Sequence, residues 1–144
     1  MPAWVEAGVD EYLRRLPADF RVTFEELPLG SKTAGSDTRK ARAKEEAAIL
    51  ARLTGKEKVI ALDVKGKAWS SEGLADQAEK WRMEGRDLAL LIGGPEGLSA
   101  NCLTRAEQRW SLSPLTLPHP LVRVLVAEQL YRAWSLMSGH PYHR

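Results

Sequence analysis

The stretch Leu88–Arg132, LALLIGGPEGLSANCLTRAEQRWSLSPLTLPHPLVRVLVAEQLYR, decides the fold. It sets two glycine- or proline-rich turns beside short apolar runs. Leu88–Ile92 reads as a strand buried on both faces, and Gly93-Gly94-Pro95-Glu96-Gly97 follows it directly. Trp110–Leu112 reads as a second short strand. The segment Ser113-Pro114-Leu115-Thr116-Leu117-Pro118-His119-Pro120 then leads into an amphipathic helix over Pro120–Met137. In open α/β sheets, ligands sit on loops that leave the carboxyl ends of buried strands. Two such loops predict a small-molecule pocket.

Working outward, Val59–Asp63 (VIALD) is a further buried strand. Ser70 or Ser71 caps a helix through Glu84 that Gly85 ends, and Ser99 caps a short helix to about Gln108. Towards the N-terminus, Ala3–Leu16 carries Val5, Val9, Tyr12 and Leu16 on one face before Pro17, which predicts a helix. Arg21–Leu27 alternates and predicts a strand ended by Pro28. Gly30–Asp37 is the one flexible-looking stretch, and Asp37 or Thr38 caps a helix to Leu53 that Gly55 closes. Helices alternating with buried strands give an α/β fold with a mostly parallel sheet flanked by helices.

The 144 residues suit one domain, with the apolar (44%) and charged (28%) fractions of an ordinary soluble protein. No apolar run approaches the ~20 residues of a membrane span, and no secretory leader opens the sequence. Cys102 is alone, so there is no intrachain disulfide, and three scattered histidines lack metal spacing. These features predict a cytoplasmic protein without a metal. A net charge of +2 does not announce a nucleic-acid binder. Arg39, Lys40, Arg42 and Lys44 cluster beside Glu45 and Glu46, the pattern of a solvated helix face.

The glycine turn is neither a dinucleotide fingerprint nor a P-loop. It is either structural or a place where a ligand approaches backbone without meeting a Cβ. In the last helix, Val122, Val126, Leu130 and Trp134 form a wide apolar stripe with Leu121, Leu125 and Tyr131, so that helix is buried or meets another subunit. Arg123 is the exception on that helix, whereas Glu128 and Arg132 have the spacing of an ordinary ion pair. His119 is either satisfied locally or faces the pocket. The terminal Gly139-His140-Pro141-Tyr142-His143-Arg144 is either a disordered tail or a functional one, since Tyr stacks on bases, Arg binds phosphate and His moves protons. Asp63 ends a strand and can cap the turn through Lys65-Gly66.

Taken together, VIALDVKGKAWSSE, LLIGGPEGLS, WSLSPLTLPHPLVRVLVAEQLYRAW and HPYHR resemble the bacterial 23S rRNA (pseudouridine-N3) methyltransferase family, of the SPOUT class of knotted methyltransferases. The resemblance covers essentially the whole chain. It implies a single domain over residues 1–144, a C-terminal trefoil knot and a homodimer in the cytoplasm. It also implies S-adenosylmethionine held by Leu62, by Gly93, and by Leu112, Ser113, Pro114, Leu115, Thr116 and Leu117. The implied partner is 23S rRNA within the assembled ribosome. The acceptor is an imide nitrogen that must lose its proton, which makes a base and an anion-stabilising cation necessary. Arg123 or Arg144 is expected to stabilise the anion, His119 or His143 to take the proton, and Tyr142 to stack on or orient the base, with the tail completing the partner's pocket. A catalytically poor donor- and RNA-binding module is the alternative. Family members open with a short apolar strand and a Gly-Lys turn before the segment matching Met1-Pro2-Ala3-Trp4, whereas this sequence starts at that helix. A late-assigned start and a lost strand both fit, and loss of the strand is expected to lower stability.

Overall fold

Val59, Ile60 and Ala61 are fully buried, as their apolar run predicts, and they form the centre of a three-stranded parallel sheet. The computed structural model to which this belongs describes residues 1–27, 38–94 and 97–143. The stretch Gly30–Asp37, with the capping position Asp37, lies outside the described residues, as do Pro95, Glu96, Arg144 and the side chains of Thr38 and His143. The sheet consists of β1 (Lys58–Ala68), β2 (Leu88–Leu91) and β3 (Gln108–Ser111), in the order β2-β1-β3. Lys58 pairs with Leu88 and Ala61 with Leu91 on one side, while Ile60 pairs with Gln108 and Leu62 with Trp110 on the other.

After Leu62 the register breaks. Trp110, already paired with Leu62, pairs again with Lys67, and Ala68 pairs with Ser111, so residues 63–66 bulge from the strand. Lys65 N donates to Asp63 Oδ1 at 3.4 Å, so Asp63 caps this turn. Gly66 is required, because a Cβ there would stand 2.7 Å from the Arg109 carbonyl carbon. The polar sequence after VIAL hides this continuation of β1, which the sequence reading ends at Asp63.

The chain divides into two compact units. The sheet unit, Glu26–Ala68 and Arg86–Thr116, adds α2 (Thr38–Arg52) and α4 (Ala100–Arg105). Its core joins Ile49 of α2 and Cys102 of α4 to Val59, Ala61, Leu91 and Leu98. Burial raises the Cys102 thiol pKa, leaving an unreactive apolar side chain. Ser99 caps α4 by accepting from Cys102 N at 3.2 Å. The amino ends of the strands are fastened by Arg86. Its guanidinium grips Glu107 two-pronged at 2.9 and 3.0 Å and donates to the Lys56 and Glu57 carbonyls.

Between α2 and β1, the Glu57 carboxylate accepts from Thr54 N at 3.0 Å, Thr54 Oγ1 at 3.0 Å and Gly55 N at 3.1 Å. These donors, led by the Thr54 backbone, hold its pKa down at about 2. A carboxylate lowered on folding stabilises the native state fully above its unfolded pKa, and that contribution disappears as pH falls through the folded value. Glu57→Gln should therefore weaken the protein at neutral pH. Urea titrations of the two proteins should converge between about pH 4.5 and pH 2. A difference independent of pH would contradict this reading.

The helical unit, Met1–Glu25, Trp69–Gly85 and Leu117–Arg144, holds α1 (Ala3–Leu13), α3 (Ser71–Glu84) and α5 (His119–Ser138). Ser70 caps α3 by accepting from Gly73 N at 3.0 Å, and Gly85 (φ 71°) and Gly139 (φ 75°) end α3 and α5 in the left-handed conformation. Both α1 and α3 pack on α5. Its buried face differs from the expected stripe: Val126, Ala127, Leu130, Tyr131, Ala133 and Ser135 are buried, while Val122, Leu125 and Trp134 are half-buried and Leu121 is exposed. Val5 and Val9 pack with Ala127. Among the described residues, no helix is long and apolar enough to cross a membrane.

The expected strand over Arg21–Leu27 is not formed. The segment joins no ladder among the described residues, and its alternation reflects side-chain packing instead. Phe24 packs with Val5 and Val9, and Leu27 packs into the Val59–Leu91 core. A strand needs a backbone partner as well as a buried face.

Candidate active site

Because the three strands are parallel, their carboxyl ends open on one edge of the sheet, and the donor candidates of the sheet unit lie there. Leu62 is the last residue of β1 before the bulge, Gly93 follows β2 by two residues, and Leu112–Thr116 follows β3. Gly93 sits where a Cβ would stand 2.6 Å from the Gly97 carbonyl carbon and 2.8 Å from Leu98 N. Gly94 and Gly97 form an antiparallel bridge, Gly97 N donating to Gly94 O at 2.9 Å, and Gly97 adopts φ 75°. The turn is thus folded tightly on its own backbone.

Two carboxylates of α2 fasten this turn. Gly94 N donates to Glu45 Oε1 at 3.2 Å, and Ser99 Oγ donates to Glu46 Oε1 at 2.6 Å. The basic cluster Arg39, Lys40, Arg42 and Lys44 is exposed, as the solvated-face pattern predicts, but that pattern gave the neighbouring Glu45 and Glu46 no role of their own. Only the helical periodicity that puts Ile49 in the core could have hinted that these acids point inward.

After β3, Ser111 Oγ donates to Ser113 O at 3.1 Å, and Leu115 N donates to Ser113 Oγ at 3.0 Å. Ser113 thereby sets the loop's course through a side-chain turn. Leu112 and Ser113 are half-buried, Pro114 and Thr116 are exposed, and Leu115 is 71% exposed. Leu117, half-buried, belongs to the helical unit.

In the helical unit, α5 starts one residue earlier than expected, with His119 first and Pro120 second. His119 and Arg123 are spaced one turn apart on the same helix face, and both are half-buried. The tail is ordered through residue 143: Pro141–His143 form a 3₁₀ turn, and His140 N donates to Ser135 O at 2.9 Å. Tyr142 is half-buried against α5. Its ring centre lies 4.5 Å from that of Tyr131, and its hydroxyl donates to Glu128 Oε1 at 3.3 Å. Arg132 and Arg15 stand over the same ring at 5.1 and 6.0 Å. Burial, reinforced by the Glu128 charge, pushes the Tyr142 phenol up to about 12, so at neutral pH it is a hydrogen-bond donor and not a base.

Glu128 and Arg132 do form the expected ion pair, at 2.6 Å, but they also seat the tail. Arg15 was not singled out by the sequence, although it lies 5.3 and 5.5 Å over the Tyr12 and Tyr131 rings. Glu128 is nine positions beyond His119 on α5, or about 14 Å along the helix axis. Within one chain, therefore, Tyr142 is anchored well away from the turn that carries His119.

The sheet unit thus carries three shaped loops at one edge, and the helical unit carries a helix and a tail rich in His, Arg and Tyr. A family model described as "Predicted SPOUT methyltransferase" matches residues 1–143, and the chain belongs to this family of methyltransferases. It is 59% identical to a protein of Chromohalobacter salexigens, covering all of this chain and 93% of the relative. It is 54% identical to one of Hahella chejuensis (92% of the relative) and 51% identical to one of Pseudomonas aeruginosa (93%), again over the whole chain. All three relatives bear the name "Ribosomal RNA large subunit methyltransferase H".

Proposed function

We propose that this methyltransferase uses S-adenosylmethionine to methylate N3 of a pseudouridine in 23S rRNA on assembled ribosomes. In this reading it acts in the cytoplasm as a homodimer, with residues 1–144 working as one domain whose C-terminal part is knotted. The main support is identity of 51–59% over the full chain with proteins named as methyltransferases of large-subunit rRNA.

The loops at the carboxyl edge suit the donor. Gly93 brings backbone where no side chain fits, and Leu62, Leu112 and the exposed Leu115 offer apolar surface for a flat ring. When bound, S-adenosylmethionine supplies an activated methyl group. The protein's own residues must orient the acceptor and remove the proton of its imide nitrogen. His119 or His143 takes that proton, and Arg123 or Arg144 stabilises the resulting anion. Tyr142, fixed by Glu128 and Tyr131, orients the end of the tail toward the partner's acceptor base. The axial separation between His119 and the Tyr142 anchor supports a tail that serves the other subunit.

Incubation with labelled S-adenosylmethionine and ribosomes lacking the modification, followed by nucleoside mapping, tests this reading. Label at N3 of a large-subunit pseudouridine is expected. No label, with S-adenosylhomocysteine and ribosomes still bound, would identify a donor- and RNA-binding module instead.

A further inference from the structure

We propose that Glu45 and Glu46 are positioning residues for the glycine turn, and that they set the chain's affinity for its methyl donor without touching it. The inference rests on the donor reading of the turn given above. The two acids are neighbours in sequence, yet one holds the turn itself and the other holds the residue two positions beyond it. Glu45 takes the Gly94 N–H and Glu46 takes the Ser99 hydroxyl. Ser99 in turn caps α4 through Cys102 N, so the Glu46 contact is continuous with the start of that helix. One turn further along α2, Ile49 is buried with Val59, Ala61 and Leu91. The helix is therefore fixed to the sheet by apolar packing, and the turn is fixed to the helix by two carboxylates.

The turn needs this support because of its composition. Gly93, Gly94 and Gly97 lose more backbone freedom on ordering than any other residue type. Gly93 and Gly97 cannot gain stiffness from a side chain. One is closed off by the 2.6 Å approach of Gly97 backbone, and the other has φ 75°. A charged acceptor on the Gly94 N–H supplies the missing restraint, since hydrogen bonds to ionised groups are the stronger kind. A turn ordered before the donor arrives binds it more tightly, because ordering no longer opposes association.

The test uses the full chain, with S-adenosylhomocysteine as the probe in calorimetric titration. Glu45→Ala is expected to raise its Kd about tenfold, with kcat at saturating donor close to that of the parent. Glu45→Gln retains an acceptor oxygen in the same place and is expected to recover most of the lost affinity. The Gly94 amide gives a second readout independent of turnover: its hydrogen exchange should accelerate in Glu45→Ala and remain slow in Glu45→Gln. Affinity within twofold of the parent in a folded Glu45→Ala protein would overturn the proposal. So would equal exchange of Gly94 in all three proteins. If the parent itself fails to bind S-adenosylhomocysteine, the donor reading fails, and this inference fails with it.

Discussion

Gly93→Ala is expected to cost the protein about 2–4 kcal/mol of stability and to weaken S-adenosylhomocysteine binding about 100-fold. The new Cβ would lie 2.6 Å from the Gly97 carbonyl carbon, 2.8 Å from Leu98 N and 3.1 Å from Gly97 Cα. All three are backbone atoms, so no rotamer change relieves the clash. Relief requires Gly97 and Leu98 to move. Leu98 is packed with Leu91 and Cys102, and Gly94 is bridged to Gly97 and held by Glu45. The displacement would thus reach both the core and the donor turn. Gly55→Ala is the informative contrast, because Gly55 has a positive φ, 89°, which Gly93 does not, and no neighbour within 4 Å of the added methyl. It should cost about 1 kcal/mol from backbone strain alone and leave the donor affinity unchanged. Denaturant melts and calorimetric titration check both variants. Parental affinity in a folded Gly93→Ala protein would remove the turn from the donor site.

Deleting Tyr142–Arg144 is expected to lower methyl transfer at least about 100-fold, the size of a lost acid–base or anion-stabilising contribution. Donor affinity should stay within about twofold, because the proposed donor residues, Leu117 apart, belong to the sheet unit and the tail does not. Tyr142→Phe should be far milder. It removes the hydroxyl bond to Glu128 but keeps the ring against Tyr131 beneath Arg132 and Arg15. The decisive arrangement mixes two defective proteins, the tail deletion and Arg123→Ala. If tails act in the partner subunit, mixed dimers contain one pocket with both an intact Arg123 and an intact tail, and activity should return in part. No recovery from the mixture, despite subunit exchange, would place the tail's action within its own chain.

Where a local signal was enough, sequence and structure agree closely. Ser70 and Ser99 both accept from the N–H three residues on, and Gly85 turns left-handed where it ends its helix. VIAL became the covered central strand that its uninterrupted apolar run predicts, whereas LALL formed its neighbour at the sheet edge, with Leu88 exposed and only Leu91 buried, because an apolar run does not say which strand is central. The failures share a different origin. Arg21–Leu27 has the alternation of a strand, but alternation reports side-chain environment and says nothing about a backbone partner. Glu45 meets Gly94 across 49 positions and Glu46 meets Ser99 across 53, so the local charge pattern, right about the exposed Arg42 and Lys44, carried no signal for these contacts. Arg15 gave no signal either, since its place over Tyr12 and Tyr131 depends on α1 packing along α5. The glycine turn was visible as a candidate site, but the acids that fasten it were not.

The Arg86 fork has a consequence for how such a protein can be tuned to temperature. It closes the sheet at its amino edge, tying the start of β3 at Glu107 to the chain entering β1 at Lys56 and Glu57. The loops proposed to hold the donor leave from the opposite edge. Adjusting the fork therefore changes resistance to heat while sparing turnover. Lysine in its place would keep the charge but lose the planar, two-pronged grip. Adaptation to warm or cold habitats thus has a position to act on that is separated from the proposed donor loops by the full length of the strands.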